Sequence, residues 1–233
     1  IWLGLVGSEM CIRDRPRTGW PGRTFTLDFA GMLLFSYRYC FDNRITEPAM
    51  PNPRIAPLEP PYPAEMQADF DKLMRGAPPL KLFRTLAHNP RVLSRMMAGG
   101  LLDRGSITLR QRELIILRTT ARCGAEYEWG VHVAAFGNKA NWTPEEVAAS
   151  ASGPTDAALW PADERLILAL ADQLHETQQV DEALWQALSV EFASDQLVEL
   201  VMLAGLYHAV SFCVNAFGVQ NEDFAPGFPA AAG

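Results

Sequence analysis

Residues 108–132 run TLRQRELIILRTTARCGAEYEWGVH. Thr108 can cap a helix, and Gln111 three positions on completes a capping-box pattern, so a helix is predicted from about Leu109 to Cys123. Its four consecutive apolar residues, Leu114, Ile115, Ile116 and Leu117, leave at most a narrow wet face, and the helix must be largely enclosed. Gly124 can end it, and Glu126 to Asn138 reads as another helix. Two helices meeting at a single glycine, with no period-2 alternation beside turn dipeptides, predict an all-α domain.

Helical patterns continue in both directions. Upstream, Pro63 starts a helix with Met66, Phe70, Leu73 and Met74 at amphipathic spacing, ending at Gly76. A short helix follows from about Leu80 to His88, and Asn89-Pro90 restarts the chain into Val92, Leu93, Met96 and Met97. Downstream, Thr143-Pro144-Glu145-Glu146 is a cap followed by proline and two acids. After a Gly153-Pro154 break, Leu166, Ile167, Leu170 and Leu174 share one face, then Leu184, Leu188 and Phe192 mark another helix. Leu197 to Phe217 is long and nearly all apolar. Before all of these, six prolines between Pro51 and Pro63 remove backbone donors and favour an extended arm over residues 50–62.

The first 49 residues differ in character. They hold scattered arginine, glycine and aromatic residues without a sustained period, and Glu9 to Arg15 resembles a translated sequencing adapter of the kind found in reading frames assembled from short reads. We expect 1–49 to be a non-native, poorly packed leader and Met50 the natural start; a short strand or arm over Phe25 to Cys40 is the alternative. A free tail is expected over 223–233.

Composition narrows the functions. A 233-residue chain that is 48% hydrophobic can bury a core, and a net charge of −7 attracts neither nucleic acid nor anionic lipid. The early apolar stretch from Phe29 to Phe41 is too short and too interrupted to span a bilayer. Cys11, Cys40, Cys123 and Cys213 form no CxxC pair, which suits neither a disulfide framework nor a zinc motif, so a reducing cytoplasm is the expected compartment. No HExxH, glycine-rich phosphate loop or GxSxG elbow occurs.

Chemistry is therefore sought where polar residues interrupt apolar helices. Glu113 precedes Leu114-Ile115-Ile116-Leu117; taken alone it is also readable as a partly exposed acid paired with Arg110 or Arg112. Glu128 and His132, four residues apart, meet on one helix face among Tyr127, Trp129, Val131 and Val133. The pair is either an ordinary surface ion pair or a carboxylate and imidazole in a dry pocket, able to move protons near neutral pH. His208 and Asn215 share a face of the last helix and serve either as satisfied core or subunit contacts or as site residues. His88 is read as a helix-end charge, and His175 and Glu176 as solvated surface.

The motif Arg112 to Arg118 followed by Cys123 to His132 resembles the carboxymuconolactone decarboxylase family, which includes the AhpD-type alkylhydroperoxidases. The lead-in Ile55 to Pro60, the segment Leu82 to Pro90 and the stretch Phe212 to Val219 agree, so the resemblance covers residues 50 to 222. It implies an AhpD-like helical fold after the arm, with the helical domain over 63–222. It also implies a homo-oligomer, a trimer or a hexamer of paired trimers. In the peroxidase branch a glutamate relays protons to a CxxC pair and a histidine four residues later. Those positions fall on Glu113, Ala125, Glu128 and His132, so both thiols are missing and peroxide reduction is not expected. The resemblance implies instead cofactor-free and metal-free acid/base catalysis by Glu113, Glu128 and His132 on a small unsaturated lactone or keto acid. Tyr127, Trp129, His208 and Asn215 are predicted to contact the substrate. The non-enzymatic alternative is an oligomeric scaffold whose buried polar network fixes an interface.

Overall fold

The computed structural model describes residues 53–230, so the expectations for 1–49, including the strand or arm over 25–40, lie outside the described residues. Those described form an all-α fold, as the sequence predicts. In chain order the helices are α1 (Ala64–Met74), α2 (Lys81–Leu86), α3 (Pro90–Gly99), α4 (Leu109–Arg122), α5 (Glu126–Phe136), α6 (Pro144–Ser152), α7 (Ala162–Thr177), α8 (Glu182–Glu191) and α9 (Ser194–Phe217).

Local chemistry sets most of these boundaries. Thr108 Oγ1 accepts from the Gln111 amide while Gln111 Oε1 accepts from the Thr108 amide, so both halves of the capping box form. Thr143 and Glu146 repeat the device at α6 with Pro144 in the first turn, and the Asn89 side chain accepts from the Val92 amide at α3. Gly124 takes a left-handed φ of 64° at the α4–α5 junction, a conformation that costs glycine little.

Helix α4 is the axis of the domain. Leu114, Ile115, Ile116 and Leu117 are essentially without solvent exposure, because α5, α6, α7 and α9 all pack around α4. By length and composition α9 could cross a bilayer; in the fold it lies against α4, α5, α7 and α8, burying Leu197, Leu200, Leu203, Ala204, Tyr207, Val210 and Val214. Such burial is the usual reason for a helix apolar on nearly all sides.

Both ends of the described chain are pinned to this core. The arm is held where the Arg54 amide donates to the Phe217 carbonyl (2.8 Å) and where His88 Nε2 meets the Ala56 carbonyl (2.9 Å). His88 thus anchors the arm instead of serving a helix end. Within the described part of the expected tail, residues 223–230, the chain returns to the core. The Phe228 amide donates to Glu126 (2.8 Å) and the Phe228 ring rests 5.4 Å from Trp129. This return passes so close to α5 that a Cβ at Gly130 would overlap the Pro226 carbonyl.

Candidate active site

Helices α4, α5 and α9 bring five of their polar side chains together. Glu113 and His132 face each other across the α4–α5 contact, with His132 Nδ1 2.7 Å from Glu113 Oε2. The other ring nitrogen, Nε2, lies 3.0 Å from the Tyr207 hydroxyl and 3.4 Å from Glu128 Oε1. Arg112 closes the far end, donating from Nε (2.8 Å) and Nη2 (2.6 Å) to Glu113 Oε1 and from Nη1 to the Leu102 carbonyl (2.6 Å). Arg112, Glu113, Glu128, His132 and Tyr207 are all buried.

The row Arg112, Glu113, His132, Glu128 alternates in sign, which is what lets four ionisable groups share a dry site. For His132 burial disfavours the imidazolium, but the hydrogen bond to Glu113 and the interaction with Glu128 outweigh it and push the pKa from 6.5 up to about 9. His132 is therefore charged at neutral pH. Its Nδ1–H is committed to Glu113, and its Nε2–H points to Tyr207 and Glu128. Burial and the two neighbouring carboxylates hold the Tyr207 phenol well above its ordinary value, so it stays a neutral hydroxyl.

Glu128, His132 and Tyr207 border a cavity of about 310 Å³ whose remaining walls are chiefly apolar, including Leu73, Phe83, Met96, Met97, Phe136 and Val210. The volume suits a small organic ligand. Glu113 is not part of the wall; it sits behind the imidazole, 1% exposed, and acts on the cavity only through His132. Its partner is Arg112, while Arg110 turns away to Glu146 and Glu164.

The four predicted substrate contacts go elsewhere. The Tyr127 hydroxyl receives the Leu82 amide and donates to Glu222, and Trp129 Nε1 donates to Ser150 (3.2 Å). Asn215 Nδ2 donates to the Cys123 carbonyl (2.8 Å), and His208 stacks on His175 beside a different cavity. His175 is thus half-buried rather than solvated surface, and Glu176 pairs with Arg122. Helical rotation explains the misplacement: Tyr127 and Trp129 flank Glu128 by one position and so project about 100° to either side of it. Sequence reasoning passed over Tyr207 as a site residue. The available signal was a phenol on a helix too apolar to leave its hydroxyl unpartnered.

Residues 90–173 match the model of the carboxymuconolactone decarboxylase family. This segment of the chain is similar to that family. The fold is AhpD-like. The core of an alkylhydroperoxidase AhpD, a peroxidase-related protein from Ralstonia eutropha JMP134, superposes with a TM-score of 0.63 at 21% identity, covering 72% of this chain and 93% of that one. A peroxidase-related protein from Silicibacter sp. TM1040 gives 0.63 at 18% identity over 78% and 95%. A variant of the debrominase Bmp8 in complex with 2,3,4-tribromopyrrole gives 0.62 at 15% identity over 74% and 94%. No curated protein matches the chain. The family segment holds all of α4 and α5, hence Arg112, Glu113, Glu128 and His132, whereas Tyr207 comes from α9 beyond it.

Proposed function

We propose that this chain, similar over residues 90–173 to the carboxymuconolactone decarboxylase family, performs cofactor-free acid/base chemistry, decarboxylation or double-bond isomerisation, on a small unsaturated lactone or keto acid. One observation carries the reading: an imidazole Nε2 and a carboxylate oxygen stand 3.4 Å apart on one wall of an otherwise mainly apolar cavity. Acid and base so placed exchange protons with a bound carbon acid and with each other.

In an isomerisation, Glu128 removes the proton between the carbonyl and the alkene, and the electron pair spreads into a dienolate. His132 then delivers its Nε2 proton to the distal carbon, and the proton held on Glu128 returns to the imidazole. In a decarboxylation the bond to the carboxylate carbon breaks, carbon dioxide leaves, and the electron pair enters an enolate that takes the Nε2 proton at carbon; solvent restores that proton. Glu113 positions the ring and keeps it charged, and Tyr207 holds Nε2 toward the cavity. The debrominase with a halogenated pyrrole lends support to a small, planar, unsaturated occupant. Thiol peroxidase chemistry finds no support: Cys123 lies beside His175, and Cys213 borders a different hollow.

The test is incorporation of solvent deuterium at carbon, followed by NMR across a panel of β,γ-unsaturated lactones and β-keto acids. Glu128→Gln should lower exchange and turnover by at least about 100-fold while circular dichroism stays unchanged. Exchange equal to that of the wild type would overturn the role of Glu128, and no exchange across the panel would overturn the reading. Homo-oligomerisation belongs to the same proposal. It is supported by the exposed Val198, Met202 and Phe212 on α9, and a solution mass equal to one chain would contradict it.

A further inference from the structure

Away from the cavity just described, Cys123 at the end of α4, His175 in the last turn of α7 and His208 in the middle of α9 converge. Cys123 Sγ lies 3.6 Å from His175 Nδ1, and that nitrogen lies 3.2 Å from His208 Nε2. The three donor atoms all fall within 4.8 Å of one another. A tetrahedral zinc ion bound by one sulfur and two nitrogens sets S···N near ~3.6 Å and N···N near ~3.4 Å, from the usual Zn–S and Zn–N distances. The two distances in the structure match those edges.

From this geometry we propose that Cys123, His175 and His208 bind a borderline-soft divalent cation of the zinc class, with the fourth position open to the adjoining cavity. That cavity, about 410 Å³, is bordered by His175 and His208 with Leu174, Val201 and Phe212. Three protein ligands and one open position is the arrangement of an exchangeable or reactive zinc site, whereas structural sites use four.

The surroundings hold His208 and Cys123 in place for binding. His208 Nδ1 donates to the Ala204 carbonyl (2.8 Å), which selects the tautomer with a lone pair on Nε2, the outer-shell role that carbonyls commonly play for metal-bound histidine. Asn215 Nδ2 holds the Cys123 carbonyl against α9, tying the thiol-bearing turn to the helix that carries His208. His175 Nδ1 donates to His208 Nε2 in the structure, so binding moves its proton to Nε2 and frees the Nδ1 lone pair for the ion. The ion displaces one proton from the Cys123 sulfur to solvent as the thiolate forms. A sequence search for metal motifs misses the set because its members come from three helices 33 or more residues apart.

Chelator-treated full-length protein titrated with Co²⁺ should take up one equivalent, develop a thiolate-to-cobalt charge-transfer band with tetrahedral d–d absorption, and lose both on adding Zn²⁺. Cys123→Ser should abolish the charge-transfer band, and His208→Gln should weaken Co²⁺ binding by at least about 10-fold. Cys213→Ser should change neither. If Cys123→Ser does not fold, His175→Gln gives the same reading through lost affinity. Absence of the band in the wild type, or its survival in Cys123→Ser, would overturn the site. None of these ligands touches Glu128 or His132, so solvent exchange at the acid/base cavity should persist in His208→Gln whichever way the cobalt titration falls.

Discussion

His132 owes its charge to Glu113. The imidazole is buried, and burial alone would drive it neutral; a 2.7 Å hydrogen bond to a carboxylate that is itself doubly held by Arg112 reverses the outcome. Glu113→Gln keeps the shape of the side chain but removes the charge. We expect the His132 pKa, followed by NMR of the ring protons, to fall below about 9. The variant also strands the Arg112 guanidinium, and an uncompensated buried charge costs roughly 3–5 kcal/mol, readable as a lower denaturation midpoint. A His132 titration unchanged in Glu113→Gln would remove the positioning role assigned to that glutamate.

At the scale of elements, α5 carries two opposed duties. One face presents Glu128 and His132 to the cavity, and another accepts the returning C-terminal segment, where Trp129 meets Phe228 and Gly130 leaves room for Pro226. Gly130→Ala places a methyl group against that backbone. Since the obstacle is backbone and not a flexible side-chain tip, we expect the segment to be displaced, at a cost of about 1–3 kcal/mol, with faster proteolysis or amide exchange over 223–230 as the measurement. Unaltered protection there would show that the close approach is not needed.

For the molecule as a whole, the raised pKa of His132 makes stability depend on pH with a defined sign. The folded state binds the proton more tightly than the unfolded chain, whose imidazole titrates near 6.5. This contribution is therefore fully present below about pH 6.5 and is lost as pH rises through about 9. Urea midpoints should fall across that window, and His132→Gln should flatten this part of the profile. A wild-type midpoint that rises between those pH values would contradict the charged state assigned to His132.

How much of this was legible in the sequence follows from the range of the forces involved. Caps, glycine stops and apolar periodicity act over a few residues, so Thr108 with Gln111, Asn89, Thr143 with Glu146, and Gly124 could be read directly, and with them the all-α class. Glu128 and His132 were equally legible, because four residues of helix place two side chains on one face. Glu113 was found as a candidate, but its partner and its place behind the imidazole depend on how α4 lies against α5. Tyr207, the return of residues 223–230 and the meeting of Cys123, His175 and His208 join atoms from 33 to 102 positions apart. Such distances along the chain carry no local pattern. Only packing a nearly all-apolar α9 against α4, α5 and α7 decided which of its few polar groups face which neighbour, because in a closed core a buried hydroxyl or imidazole settles where a partner is within hydrogen-bonding reach.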